Sequence, residues 1–348
     1  MSWKLSDIEQ VVRERTRWWE QHGAEVVQCR TCPRCCVIHE GKAGFCGVRR
    51  NVEGRLVGLG YGWPTGFAVD PVEKKPLHHF LPGTKILSFG TVGCNLACKF
   101  CQNWHMSHSR DVSLRQRFVP PEEVVRLARE AGCPSIAFTY NDPTIFAEYA
   151  VDIARAAREQ GIRCVAVTAG YIEPEPRAEL FAELAAANID LKAFSDDFYH
   201  GWCRARLQPV LETIRWVHEH TDCWIELTNL VITGLNDGEA QLRALVDWVG
   251  EALGPDVPLH FSAFHPAGKV LDRPRTPQAT LAAARELAWQ AGLRHVYLGN
   301  VVDAEGWTTR CPQCLTVLVR RSWYEVEPLL GEDGRCPRCG ATVAGVWK

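Results

Sequence analysis

The chain has 348 residues, 46% hydrophobic and 23% charged, and a formal net charge of −2. This is the make-up of a globular protein with room for one large core and small appendages. The charge balance excludes a global field for nucleic acid or an anionic membrane. No stretch approaches the roughly 20 apolar residues of a spanning helix, and the charged first twenty residues lack a signal-peptide core. Sixteen cysteines in that setting point to thiolates held by metal in a reducing cytoplasm, not to disulfides.

Residues 1–24 read as an amphipathic helix, with Ser6 and Glu9 as a capping box. Ile8, Val11, Val12, Trp18 and Trp19 lie roughly on one face, packed on the main domain. Then come Cys29, Cys32, Cys36 and Cys46 in a C-x2-C-x3-C-x9-C set, enough for one closed four-thiolate site. Zinc and an iron–sulfur cluster both accept four cysteines; buried free thiols are the bland alternative. Cys35 is a fifth thiol and blurs which four bind. Residues 54–82 suggest a short strand or hairpin, with His78 and His79 in structural roles.

From residue 85 strands and helices alternate. Strands are expected at 86–89, 135–140, 163–168, 188–191, 223–232, 259–264 and 295–298. Helices are expected at 121–131, 144–159, 177–187, 207–218, 240–252 and 277–291. Such alternation argues for an α/β fold with a parallel sheet covered by helices, as a complete or partial (β/α) barrel. Functional groups then gather on the loops that leave the strand ends.

The loop after the first of these strands carries Cys94, Cys98 and Cys101 in a C-x3-C-x2-C spacing. Three thiolates can hold three irons of a [4Fe–4S] cluster and leave the fourth open to a ligand. Zinc would ask for a fourth ligand and paired C-x2-C knuckles. At later strand ends stand Asn141 and Asp142, which alone read as a helix start before Pro143. Asp190 and Lys192 lie two apart and so face one side of a strand; a structural ion pair is their plain reading. His265 follows the sixth strand.

The tail holds Cys311-Pro312-Gln313-Cys314 and Cys336-Pro337-Arg338-Cys339 around a strand-like stretch at 315–324. Two such knuckles make a zinc-ribbon or rubredoxin-like signal, with zinc favoured over a redox iron. Leu315 replaces the glycine expected after the first knuckle.

The three-cysteine loop resembles the signature of the radical S-adenosylmethionine (radical SAM) superfamily. That resemblance implies SAM chelated through its amino and carboxylate groups on the open iron. One electron passed to the sulfonium then releases a 5′-deoxyadenosyl radical. The stretches Asp190-Leu191-Lys192 and Phe264-His265-Pro266-Ala267-Gly268-Lys269 resemble those of pyruvate formate-lyase activating enzyme and other glycyl-radical activases. A fuller resemblance is to the radical SAM enzyme of the AmmeMemoRadiSam system. It rests on Cys32-Pro33 to Cys46-Gly47-Val48-Arg49, Cys101-Gln102-Asn103-Trp104, Thr139-Tyr140-Asn141-Asp142-Pro143, Tyr297-Leu298-Gly299-Asn300-Val301 and the terminal knuckles. The chain departs from that pattern at Asp142, where Glu is more usual, and at Ala169, where Asn is common.

The resemblance implies a radical SAM oxidoreductase with Phe100, Asn103, Asn141, Asp142, Asp190, Lys192 and His265 at the cofactor. A helical, cysteine-rich cap is expected at 1–75, the radical SAM core at 76–302 and the metal ribbon at 303–348. Hydrogen-atom abstraction from a protein glycine is one implied reaction, with a flavodoxin or ferredoxin as electron donor. Radical modification of a small molecule or peptide is the rival. A zinc-binding adaptor would account for the flanking cysteine sets but not for the three-cysteine loop. A nucleic-acid enzyme lacks the basic excess it would need.

Overall fold

The computed structural model describes residues 5–110, 117–322 and 325–348. Its centre is one eight-stranded sheet in chain order: β1 (Thr65–Pro71), β2 (Lys85–Gly90), β3 (Ser135–Phe138), β4 (Arg163–Thr168), β5 (Ala186–Asp190), β6 (Trp224–Val231), β7 (Leu259–Ala263) and β8 (Val296–Gly299). β1 runs antiparallel to β2, and every later pairing is parallel. β1 and β8 are the two edges, so the sheet is an open, partial barrel. Ile86, Phe89, Ile136, Phe138, Ile189, Leu227 and Phe261 are all buried, as strands covered on both faces must be.

Each crossover carries a helix: α1 (Pro121–Glu130), α2 (Ala147–Glu159), α3 (Pro174–Ala182), α4 (Gln208–His220), α5 (Glu239–Leu253) and α6 (Gln278–Gln290). α1 shows why. Proline opens it at a position whose N–H has no helical partner, and Val124, Val125 and Ala128 share one buried face.

Three expectations need correction. The N-terminal helix is Leu5–Arg15, not 1–24; residues 1–4 lie outside the described residues, as does the Ser6 side chain of the expected capping box. The Thr16 hydroxyl bonds Val12 O and receives Gly58 N, Trp18 turns left-handed at φ 55°, and Trp19 pairs with Cys29 in an antiparallel strand. Sheet pairing there overrides helical periodicity. The helix expected at 177–187 is α3, displaced toward the N-terminus, because Ala186 and Ala187 enter β5. β1 lies before the expected boundary at residue 76 yet belongs to the main sheet.

The cap packs a three-stranded antiparallel sheet (Trp19–Gln21, Val26–Cys29, Val37–His39) beside the hairpin Arg49–Val52/Arg55–Gly58. It is tied to α2 by a buried pair: both terminal nitrogens of Arg49 donate to Glu148, each at 2.9 Å. The tail forms three strands, Thr309–Arg310, Val317–Arg321 and Val326–Pro328; Tyr324 of the expected stretch lies outside the described residues. The tail docks at the N-terminal ends of the strands, where Val346 bonds His79 O and Leu81 N. There Glu226, fully buried, accepts from His78 N, His79 N and His260. Burial holds His78 and His79 well below the usual imidazole pKa; they are packing groups.

Candidate metal centre

At the opposite end of the sheet, β2 runs into the loop of Cys94, Cys98 and Cys101, and neighbouring segments clamp that loop throughout. Asn141, buried at the end of β3, receives Thr91 N through its oxygen at 3.0 Å. Its nitrogen donates to Thr91 Oγ1 and Gly93 O at 3.0 and 2.9 Å. Asn95 donates to Tyr171 O beyond β4 at 2.7 Å. Ala97 N and Lys99 N reach Cys203 O and Trp202 O in the π-helical turn Tyr199–Cys203. From beyond β7, Lys269 N bonds Lys99 O at 2.6 Å.

Gly268 makes that last approach possible. Its φ is +62°, and a Cβ there would sit 2.5 Å from Lys99 O. Gly268→Ala should therefore push the loop aside at a cost of roughly 1–3 kcal/mol. The expected result is a lower iron content after reconstitution than in the parent; an unchanged content would contradict the clamp.

The three thiols sit where thiolates are useful only with a cation. Burial, Asp142 and Cys98 push the Cys94 thiol up. The Cys203 thiol, hydrogen-bonded to Cys98, raises Cys98 together with burial, and burial raises Cys101. Bound metal reverses that balance. Donors are already in place for the sulfurs: Leu96 N lies 3.4 Å from Cys94 Sγ, the Asp142 amide also faces Cys94, and Ser107 Oγ lies 3.2 Å from Cys101 Sγ. This donor set fits a cluster held by three thiolates.

The residues expected at a cofactor divide into two groups. Lys192 Nζ meets Asp190 Oδ2 at 2.8 Å; although burial opposes its charge, Asp190 and the thiols of Cys98 and Cys203 hold the ammonium well above its ordinary pKa. His265 stands half-buried past the end of β7. Asn103 is exposed and donates to Tyr140 O at 2.7 Å, bracing a residue with φ of 70°.

The others turn inward. Phe100 is 3% exposed and packs on Phe198 with centroids 5.7 Å apart, so its ring belongs to the core. Asn141 is spent on the loop clamp. The Asp142 carboxylate caps the turn Pro143–Phe146 through Thr144 N at 3.0 Å, and accepts from Ala169 N at 2.8 Å and from the Thr168 hydroxyl. Those bonds engage both carboxylate oxygens, while the Asp142 amide faces Cys94.

Cys203 and Thr91 complete the site without a signal in the sequence. Cys203 is a lone cysteine about a hundred residues from the loop, and only the π-turn brings it to Cys98.

The tail thiols are gathered most tightly. Cys311, Cys314, Cys336 and Cys339 place their sulfurs within 4.8 Å of one another, with Cys311–Cys339 at 3.6 Å and Cys314–Cys336 at 3.5 Å. Zinc–sulfur bonds of about 2.3 Å place tetrahedral sulfurs about 3.8 Å apart, so this is the geometry of a small zinc-binding domain. Leu315 and Gly340 follow matching knuckles with φ of 59° and 75°. Leucine is strained there, and Leu315→Gly should stabilise the ribbon by about 1 kcal/mol. Slower metal loss to a chelator checks this; equal or faster loss contradicts it.

A three-cysteine loop leaving the first parallel strand of a partial barrel, clamped by the later strand ends, defines a radical SAM domain. The model described as the Radical SAM superfamily matches residues 89–249, from β2 into α5. The chain therefore carries a radical SAM domain. It is 42% identical over 328 residues to protein MJ0808 of Methanocaldococcus jannaschii, covering 94% of this chain and 97% of that one, which places the two in one family. It is 23% identical over 178 residues to the pyruvate formate-lyase-activating enzyme of Clostridium pasteurianum, 48% of this chain and 69% of that one. Among solved structures, Streptococcus suis SuiB bound to precursor peptide SuiA superposes with a TM-score of 0.50 at 15% identity. That match covers 66% of this chain and 51% of that one, a likeness of fold alone. Among the described residues no helix is long and apolar enough to cross a membrane.

Proposed function

We propose that this radical SAM enzyme abstracts a hydrogen atom from a protein glycine. Cys94, Cys98 and Cys101 would hold the [4Fe–4S] cluster, with Lys192, Asp190, His265 and Asn103 nearest the SAM it binds. The observation that carries the reading is the buried three-thiol loop clamped at the strand ends. When bound, the cluster and SAM supply a one-electron cleavage that yields a 5′-deoxyadenosyl radical. The chain's own residues do the rest. Asn141 and Gly268 fix the loop, and Asp142 acts through its amide while its carboxylate sets the β3 and β4 ends. The Asp190–Lys192 pair keeps an ammonium charged beside Cys98.

The glycine target rests on similarity to the activating enzyme. Beside the loop lies a cavity of about 330 Å³ reached by Cys94, Lys99, Arg110, Arg204 and Lys269. Its cations favour a target segment with negative charge. A flavodoxin or ferredoxin in a cytoplasmic setting fits as electron donor, and the cap, core and ribbon would divide the chain near residues 64 and 303.

Electron paramagnetic resonance of the anaerobically reconstituted, reduced protein tests the assignment. Addition of SAM should shift the signal of the three-cysteine cluster. A signal indifferent to saturating SAM would overturn the proposal.

A further inference from the structure

The cap holds a second set of thiols that the proposed reaction does not use. Cys29, Cys32, Cys36 and Cys46 line one small cavity together with Arg49 and Asn95. Cys35 does not line it; its thiol turns to Cys32 O. Backbone amides are aimed at the sulfurs of the set: Arg34 at Cys32, Phe45 at Cys36 at 3.5 Å, and Val48 and Arg49 at Cys46. This is the surrounding a thiolate ligand needs.

Arg49 adds an independent sign. It is 2% exposed and its terminal nitrogens are taken by Glu148, but its Nε has no hydrogen-bond partner. A buried donor left alone is costly. An anionic centre with sulfur acceptors in the cavity that Arg49 lines would satisfy it.

The spacing separates this set from the tail. A single zinc draws its four sulfurs together, as the tail sulfurs are. Among the described residues the tail set is the one group gathered within 4.8 Å; the cap thiols line one cavity without closing to that distance. Thiolates held apart suit a polynuclear centre, where each binds a different iron. The two iron sites would also be neighbours. Gly93 lies so close to Cys46 O that a Cβ would be 2.4 Å from it, and Cys46 and Cys94 border the same cavity.

We propose that Cys29, Cys32, Cys36 and Cys46 hold a second iron–sulfur cluster that relays single electrons to the cluster of Cys94, Cys98 and Cys101. A one-electron donor protein is oxidised, the cap cluster is reduced and then reoxidised, and the loop cluster gains the electron; no bond or proton changes hands. The relay half rests on the function proposed above; the cluster half does not.

The test uses the full chain, reconstituted anaerobically with iron and sulfide in the presence of zinc. The parent should carry about eight irons per chain, and the Cys94→Ala/Cys98→Ala/Cys101→Ala variant about four, with a resonance signal on reduction. Zinc without iron in that variant would overturn the inference. A Cys36→Ser/Cys46→Ser variant should lose about four of the parent's irons; retention of all of them would also overturn it. For the relay, the signals of the reduced parent should be broadened by coupling between the clusters relative to either variant, and unbroadened signals would sink it. A parent with cap iron that leaves SAM intact would instead contradict the radical reading and leave the second cluster standing.

Discussion

Replacing Cys94, Cys98 and Cys101 together with alanine is expected to remove about four irons per chain and to abolish formation of 5′-deoxyadenosine from SAM. The effect should be total, not graded. The three cysteines are the loop's only thiols, and the nearby Cys203 thiol sits on a different element, hydrogen-bonded to Cys98. Asn141, Lys269 and the turn Tyr199–Cys203 hold the loop through backbone and amide groups, so the fold should survive loss of the thiols. Product analysis after anaerobic reduction checks this. Sustained 5′-deoxyadenosine formation by the variant would move the chemistry to another site.

The second large effect concerns stability. Glu148→Ala should destabilise the protein by roughly 3–5 kcal/mol, because it strands a buried guanidinium. Glu148 is enclosed on α2, where it accepts both Arg49 nitrogens and Arg17 N. Arg49 also donates to Arg17 O, so the pair secures the two segments that attach the cap. Against a typical total of about 5–15 kcal/mol, such a loss should lower the urea midpoint sharply. Arg49→Met combined with Glu148→Leu should recover much of it, since neither charge is then buried alone. A midpoint for Glu148→Ala within about 1 kcal/mol of the parent would show that the pair does not carry the junction.

The parallel sheet was legible because its strands are apolar on both faces and separated by helices. The limits 163–168 expected for β4 are those observed, and the three-cysteine loop leaves β2 as its position after 86–89 implied. The tail knuckles were legible from spacing alone. What could not be read was direction. Phe100 beside a cysteine is the same letter whether it meets a ligand or Phe198, and Asp142 the same whether its carboxylate binds outward or caps inward. Only the neighbours at Thr144, Thr168 and Ala169 decide. Helical periodicity across 1–24 could not report that Trp19 would find Cys29 across a sheet. The alanine-rich end of the helix expected at 177–187 likewise favours helix locally but is drawn into β5. Long-range pairing won in both places.

The most direct test of the central claim is anaerobic incubation of the reconstituted, reduced parent with SAM, with iron, sulfide and zinc measured on the same sample. Iron and sulfide are expected in the protein, with 5′-deoxyadenosine and methionine as products. Zinc alone, with SAM left intact, would contradict the claim and leave a metal-binding adaptor in its place.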